Sequence, residues 1–230
     1  MKSILIIFVA LFLSGCEDLN TFCPKDTNTS DSNTTNPDNN TTYYLHTNIK
    51  TSLFWIGEFG DDSESAWDSN WIANYGGIDR PDDRKDPPRY EPADFIPKEN
   101  SFYVALPYND MQNGEMKADR DSIVPWSTEK DNPYRSICKN RWVKITSNSG
   151  ASAYAQWEDV GPSGDNDVKY VFEQSNPSGA DSFGLAISPA VRDYLKLNEN
   201  EEVNWKFAEE ESVDISGPWF DIITTSNSNQ

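Results

Sequence analysis

Short apolar stretches, in which large or β-branched side chains alternate with polar ones, recur through residues 43–223. Glycine, proline and polar residues separate them, a pattern typical of β-strands joined by turns. One segment differs, because Ser188 and Pro189 suit the N-cap and the first position of a short helix. Its apolar face would comprise Val191, Tyr194 and Leu195. The expected strands are residues 43–47, 51–59, 101–107, 141–147, 153–158, 168–174, 184–187 and 201–207.

Two regions between these strands are long and irregular. Residues 66–75 carry Trp67, Trp71 and Tyr75 at four-residue spacing, which predicts a short helix whose aromatic stripe serves packing rather than ligand binding. Residues 79–94 are rich in proline and charge and predict a loop, as do residues 111–126. An irregular insertion of such length is uncommon unless it helps to form a site.

Composition narrows the class of protein. The chain has 230 residues, of which about 190 are foldable, enough for one domain with a sizeable core. Lys and Arg total 19 against 38 Asp and Glu. Such a surface repels nucleic acid and anionic lipid head groups, so we expect neither as a partner. Eight Trp and ten Tyr favour a β-rich core with some rings exposed to a ligand. We expect a monomer.

The first 15 residues have the pattern of an export signal. Lys2 precedes an apolar run at residues 4–13, which is too short to span a bilayer as a mature helix. The run ends in L-S-G-C at Cys16, which resembles the bacterial lipobox, where the cysteine is lipidated and the chain is cut before it. The resemblance implies an acyl anchor, such as palmitate, in the inner or outer membrane. An ordinary secretory signal is the alternative.

Residues 16–42 predict a tether between this anchor and the domain. Its polar, Asn/Thr/Ser-rich composition predicts disorder, and residues 224–230 form a similar polar tail. Beyond Cys16, the chain has Cys23 and Cys138. Because exported proteins meet oxidising conditions, these two could form a disulfide. Two unpaired thiols, one in the tether and one buried, are the alternative.

A second resemblance concerns residues 154–207. Residues 158–163 read E-D-V-G-P-S, and residues 186–195 read A-I-S-P-A-V-R-D-Y-L. These resemble the N-D-R-G-P-F and D-L-S-x-A-A-x-x-L pattern of the rare lipoprotein A family. The resemblance implies a mainly β, six-stranded double-psi β-barrel with a short helix and long loop insertions. The same barrel occurs in expansins, small barrel endoglucanases and lytic transglycosylases, which act on polysaccharide or peptidoglycan.

The resemblance also implies site residues. By position, Asp159 inherits the role of the catalytic acid, which protonates the leaving oxygen of a glycosidic bond. A hydrolase of the inverting type needs a second carboxylate, for which Glu58, at the end of an aromatic strand, is the first choice and Asp110 the second. A lytic transglycosylase could use Asp159 alone. The competing interpretation is a structural aspartate that caps the amides of the Gly-Pro turn.

Two departures from the family pattern leave other functions open. The family has a His in a T-A-A-H segment before its L-P, whereas residues 102–107 read F-Y-V-A-L-P. Val160 and Ser163 replace the Arg and Phe of N-D-R-G-P-F. A barrel that binds glycan without cleaving it is therefore an alternative, with sugar rings stacked on Trp55, Trp126 and Trp157. A structural envelope protein that binds another protein is the third hypothesis.

Several kinds of site are disfavoured by the sequence. The single histidine, His46, argues against a His-dependent triad and against His-ligated zinc. No Gly-rich phosphate loop of the usual spacing occurs, and the acidic clusters lack EF-hand spacing. We therefore expect no metal and no cofactor. The sequence predicts an envelope lipoprotein, with its domain in the periplasm or at the cell surface, that cleaves or binds peptidoglycan or another polysaccharide.

Overall fold

The computed structural model of the chain describes residues 34–35, 42–59, 65–85, 90–179 and 181–223. Its strands are β1 (Thr34–Thr35), β2 (Thr42–Tyr43), β3 (His46–Leu53), β4 (Tyr103–Leu106), β5 (Met111–Gln112), β6 (Glu115–Met116), β7 (Arg141–Ser147), β8 (Ser152–Val160), β9 (Phe183–Ile187) and β10 (Glu202–Ala208). Its helices are α1 (Trp71–Tyr75), α2 (Arg120–Ile123), α3 (Val168–Phe172) and α4 (Pro189–Leu195), with 3₁₀ turns at Glu210–Ser212 and Pro218–Phe220.

Six strands close into a barrel in the order β10-β3-β9-β4-β8-β7. β3 runs parallel to β9 and β4 runs parallel to β8, whereas the other neighbours are antiparallel. Exchanging β3, β4 and β7 for β8, β9 and β10 reproduces the same pairings, so the barrel has two halves of equivalent topology. The predicted fold, a mainly β, closed six-stranded barrel with short helices, is confirmed.

Strand β8 shows how the alternating sequence builds the core. Ala153, Ala155 and Trp157 are fully buried in the main hydrophobic cluster, while Tyr154 between them is partly exposed. The small alanines leave room for large rings, and both Trp157 and Trp205 have an exposed fraction of 0%. The interior of the barrel is therefore filled by side chains, as in other small barrels.

The strand predicted at residues 51–59 is wrong in its bounds. β3 begins at His46 and ends at Leu53, after which the chain turns. Gly57 has a φ of 86°, and a Cβ at this position would lie 2.7 Å from Ile78. Because only glycine combines this left-handed backbone with so close an approach, the turn is fixed here.

The strand predicted at residues 168–174 is also wrong, because this segment forms helix α3. Tyr170, Val171 and Phe172 are buried in the main cluster. A short apolar run suits a buried helical turn as well as a strand, so its pattern does not distinguish the two. Contacts between α3 and the barrel, such as the hydrogen bond from Trp205 Nε1 to Tyr170 Oη at 2.7 Å, favour the helix.

The insertion at residues 66–75 has a shorter helix than predicted, since α1 covers only Trp71–Tyr75. Trp67, Trp71 and Tyr75 are nevertheless all buried, which confirms that these rings serve packing. Trp71 and Tyr75 form a second apolar cluster with Ile56 and Tyr103, on the outside of the barrel. Residues 111–126, expected to be a loop, contain the β5–β6 hairpin and α2.

Helix α4 begins as predicted. The Oγ atom of Ser188 accepts a hydrogen bond from the Val191 amide at 3.3 Å, and Pro189 occupies the first turn. The same oxygen accepts a hydrogen bond from the Tyr103 amide at 3.3 Å, so it joins the helix to β4. Val191 and Leu195 are buried, which fixes the helix against the barrel.

We predict that Ser188→Ala lowers the free energy of unfolding by about 2 kcal/mol, because two buried amides lose their shared acceptor. Chemical denaturation measures this change. Ser178→Ala, which removes a hydroxyl at an exposed position, should leave the free energy of unfolding unchanged. An equal loss in both variants would contradict the capping role of Ser188.

Candidate functional site

The strand directions define two ends of the barrel. β4, β8 and β10 end where β3, β7 and β9 begin, and we call this the Asp159 end. We call the opposite end, where β3 ends and β4 begins, the Tyr103 end. Asp159 itself lies one residue before the end of β8, beside the parallel strand β4.

A bulge positions the Asp159 side chain. Val104 pairs with Trp157 but Ala105 pairs with Asp159, so β8 has one more residue than β4 over this stretch. Such an irregularity re-aims the side chains next to it. Asp159 is partly exposed, whereas Trp157 and Glu158 before it are buried. The bulge therefore lies where β8 passes from its buried residues 155–158 to the partly exposed Asp159 and Val160.

Two backbone amides hold the carboxylate. Oδ1 of Asp159 accepts hydrogen bonds from the Val160 amide at 2.7 Å and from the Ala66 amide at 2.8 Å. Within the part of the chain that the structure describes, both hydrogen bonds to this carboxylate fall on Oδ1. The oxygen Oδ2 is then the atom that could exchange a proton with a ligand.

The Ala66 amide belongs to a short segment, Ser65–Trp67, that crosses the end of β8. Ser65 Oγ donates to the Glu158 carbonyl oxygen at 2.7 Å. The indole of Trp67 packs edge-on against Trp157 with 5.5 Å between the ring centroids. Nε1 of Trp67 also donates to Oδ1 of Asn109 at 2.9 Å, in the loop after β4. The insertion is thus attached to the barrel at the candidate site.

Burial raises the pKa of Asp159 to about 6, and the hydrogen bonds from Ala66 and Val160 oppose this shift. Desolvation is the larger effect, because burial removes water that would stabilise the charge of the carboxylate. A carboxyl group with such a pKa remains partly protonated near neutral pH. Asp159 has the protonation behaviour that a general acid requires.

A buried ion pair lies directly beside this site. Nζ of Lys139 is 2.8 Å from Oε2 of Glu158, and the two side chains are 4% and 3% exposed. Burial raises the pKa of Glu158 and the Lys139 ammonium opposes it, while the carboxylates of Glu99 and Asp68 raise it further. Glu158 is therefore committed to a buried network and does not face the surface with Asp159.

Glu58, the first choice for a second carboxylate, belongs to the Tyr103 end. The turn that carries it follows β3, and Ile56 in that turn donates its amide hydrogen to Tyr103 Oη at 3.1 Å. β3 and β8 run in opposite directions. Glu58, which comes after the last residue of β3, therefore lies at the opposite end of the barrel from Asp159. Burial raises the pKa of Glu58, but no contact among the described residues joins it to Asp159.

Asp110, the second choice, lies at the Asp159 end but has an exposed fraction of 0%. Its Oδ2 accepts a hydrogen bond from the Ile137 amide at 2.7 Å. Burial raises the pKa of Asp110, and hydrogen bonds from Ser136 and Ile137 oppose this. A carboxylate enclosed in this way holds the loop before β7 and has no surface to present to a glycan.

The three tryptophans predicted to stack on sugar do not form one platform. The prediction for Trp157 is wrong, because its indole is wholly buried and its Nε1 donates to the Asp159 carbonyl oxygen at 2.8 Å. Trp126 is partly exposed, but Arg141 covers one face at 4.4 Å and Phe207 packs at 5.0 Å. Trp55 is partly exposed and lies in the turn that precedes Glu58.

Of the three cysteines, only Cys138 lies among the described residues. Among the described residues Cys138 has no disulfide partner; its side chain is buried in the main cluster, and burial raises the pKa of the thiol. Its predicted partner Cys23 and the predicted lipidation site Cys16 lie outside the described residues, as do the signal segment, most of the tether and the polar tail. The disulfide stays a prediction.

Comparison with known proteins adds no support to the family resemblance, which rests only on the residues quoted above. The chain matches no protein-family model and no curated protein. The sequence departs from the family pattern at a further position, because Ala186, which lies on β9 and is 4% exposed, stands where the pattern has the Asp of D-L-S. β9 therefore brings no carboxylate to this position.

Over the described ranges, no group of three or more His, Cys, Asp or Glu side chains is arranged to hold a metal ion. Among the helices given above, none has the length and apolar character needed to cross a membrane.

Sequence reasoning missed the residues that complete the surroundings of Asp159. The amide of Ala66 is 93 positions away along the chain, and Lys139 is one of several lysines in polar loops. No local pattern marks either residue, because both contacts are created by the crossing of the insertion over β8 and by the turn before β7.

The raised pKa of Asp159 predicts a pH-dependent effect of Asp159→Asn. The folded pKa of about 6 lies above the unfolded value of about 3.9, so ionisation costs stability as pH rises between these values. Asn keeps an oxygen acceptor for both amides but has no charge. We expect the variant to be more stable than the wild type by about 1–2 kcal/mol at pH 8 and no more stable at pH 4.

Thermal and chemical denaturation at the two pH values measure this difference. Asp181→Asn makes the same charge change at an exposed position and should shift stability by similar amounts at both pH values. A destabilised Asp159→Asn protein at pH 8 would show that the charge itself is needed to hold the Ala66 and Val160 amides.

Proposed function

We propose that this protein is a membrane-anchored lipoprotein of the bacterial cell envelope whose barrel cleaves a glycan, peptidoglycan or another polysaccharide, with Asp159 as the general acid. One observation carries the proposal. The carboxylate lies partly exposed at the end of a strand, with Oδ1 fixed by two amides and a pKa raised to about 6 by burial.

The geometry favours a mechanism that uses one carboxylate. Asp159 donates its proton to the glycosidic oxygen as the bond breaks, and the carboxylate that remains can accept a proton from an attacking hydroxyl of the sugar. An inverting hydrolase requires a second carboxylate across the cleft. Among the described residues, Glu58 follows the opposite end of the barrel and Asp110 is enclosed. Lytic transglycosylase chemistry therefore suits the site better than inverting hydrolysis.

A non-catalytic glycan-binding or structural role is the second candidate. It is favoured by the two hydrogen bonds of Oδ1, which would serve equally to fix the Val160 turn and to fasten the insertion through Ala66. In that case the charge of Asp159 has no chemical task, and its replacement by Asn would preserve function.

We predict that the purified protein releases soluble fragments from insoluble peptidoglycan or from β-glucan, and that Asp159→Asn lowers the rate by at least about 100-fold. The rate should fall by about tenfold per pH unit above pH 6, because the acid form is then lost. Chromatography of the soluble products measures both effects and distinguishes hydrolysis from transglycosylation.

Asp165→Asn is a matched control, because it makes the same charge change at an exposed position of the loop after β8. It should retain the full rate. Equal rates for wild type and Asp159→Asn would exclude Asp159 as the acid. No fragments from either protein, with co-sedimentation on the insoluble glycan, would favour the binding role.

The proposed anchor has its own test. In bacteria that express the full chain, Cys16→Ser should remove acylation, and the protein should move from the membrane to the soluble fraction, since the chain loses its buried acyl groups. Metabolic labelling with palmitate followed by fractionation measures this. Cys23→Ser should remain labelled and membrane-bound. Loss of labelling in this variant would show that Cys23, and not Cys16, carries the acyl group.

A further inference from the structure

A pocket of about 340 Å³ lies at the Asp159 end, between the beginning of β3 and the segment that follows α3. It has no role in the chemistry proposed for Asp159. Its lining residues are Leu45, His46, Thr47, Ile49, Gln174, Ser175 and Asn176.

His46, the only histidine of the chain, forms a fixed part of the pocket wall. Its exposed fraction is 5%, and its ring stacks on Trp205 with a centroid distance of 4.2 Å and an interplanar angle of 17°. Tyr170 packs edge-on against the ring at 5.2 Å. Trp205 and Tyr170 are themselves joined by a hydrogen bond, and Tyr170 Oη donates to the Gly184 carbonyl oxygen at 3.0 Å. These contacts fix the plane of the imidazole against Trp205 and Tyr170.

No described residue forms a hydrogen bond with either ring nitrogen of His46, although the side chain is more than nine-tenths buried. A buried polar group of this kind normally finds a partner in the protein or in solvent. Since His46 lines the pocket, the pocket is where such a partner can reach it.

The pocket offers polar groups without charge. Thr47, Gln174, Ser175 and Asn176 supply hydroxyl and amide groups at the rim, and neither Asp, Glu, Lys nor Arg is among the lining residues that the structure describes. Burial lowers the pKa of His46 to about 4, so the imidazole is neutral at physiological pH and can donate and accept. The uncharged lining of this pocket contrasts with the chain as a whole, whose net charge is −19.

These features together select a class of ligand. Hydroxyl and amide side chains pair with the alternating donors and acceptors of a sugar ring, while Leu45 and Ile49 supply apolar contacts for its C–H groups. An anion or cation would find no opposite charge in the lining. The volume is at the small end of the range for ligand pockets, which suits a single ring.

We propose that this pocket is a binding subsite for one neutral sugar residue, in which His46 and the side chains of Gln174 and Asn176 hydrogen-bond to ring hydroxyl groups. The choice of ligand class accords with the proposed function, but the subsite does not depend on cleavage. Because β3 begins at the end of the barrel where β8 ends, a glycan crossing this end could occupy the pocket and meet Asp159.

The single histidine makes a direct test possible, because its imidazole C–H resonances are unique in the proton NMR spectrum. We expect these resonances to shift in a saturable manner on titration with N-acetylglucosamine or glucose, with a dissociation constant of about 1 mM or weaker, as befits a single ring. Glucuronate, whose ring carries a carboxylate, should bind more weakly.

Variants at the exposed rim assign the binding to this pocket without disturbing the core. Gln174→Ala and Asn176→Ala should each weaken binding by about three- to tenfold, because each removes a hydrogen-bonding amide. Gln112→Ala removes an exposed amide from the β5–β6 hairpin and should leave the dissociation constant unchanged.

Each outcome separates the subsite from the proposed chemistry. Absence of a saturable His46 shift, or shifts that are equal in the rim variants and the wild type, would overturn the subsite even if the protein releases glycan fragments. A His46 shift that is retained in Asp159→Asn and weakened by the rim variants would support the subsite even if no fragments are released.

Discussion

The packing at the Asp159 end of the barrel depends on one side chain, the indole of Trp157. Fully buried in the barrel, it stacks with Phe207 of β10 at 5.9 Å and packs against Phe172 of α3 at 6.4 Å. It also meets Trp67 of the insertion edge-on at 5.5 Å. Its Nε1 donates to the Asp159 carbonyl oxygen at 2.8 Å. One side chain thus joins the barrel, the helix at its end, the insertion and the candidate site, because a large ring with one polar edge serves both packing and hydrogen bonding.

This dependence explains how Asp159 combines two properties that usually conflict. Burial excludes water and raises the pKa of the carboxylate, whereas the Ala66 and Val160 amides stabilise its charged form. The balance leaves a carboxyl group that titrates near pH 6 and whose Oδ1 is held in place. Fixed position and partial protonation are what an acid catalyst needs, and fixed position alone is what a turn needs.

The topology of the barrel also separates two segments whose sequence patterns are alike. Aromatic residues precede both Glu58 and Asp159 within a few positions, so the two segments look alike in sequence. The crossed topology sends β3 and β8 in opposite directions, and the two carboxylates follow different ends. By contrast, His46 and Asp159, which are distant in sequence, belong to the same end. The carboxylate of Asp159 and the neutral polar pocket therefore lie at the same end of the barrel.

Elements whose pattern is local are predictable from the sequence alone. Alternation specified β7 and β8, and the Ser-Pro pair specified the start of α4, because side-chain periodicity and capping act over a few residues. Closure into six strands followed from a resemblance over one stretch of the second half. The short apolar run of α3 was ambiguous, since burial on all sides removes the periodicity that distinguishes helix from strand. The sequence does not predict that Trp157 and Asp110 are buried, that the Ala66 amide donates to Asp159 or that His46 stacks on Trp205. These features arise from contacts between segments far apart in the chain, where strand order and direction, rather than local pattern, fix which side chains meet.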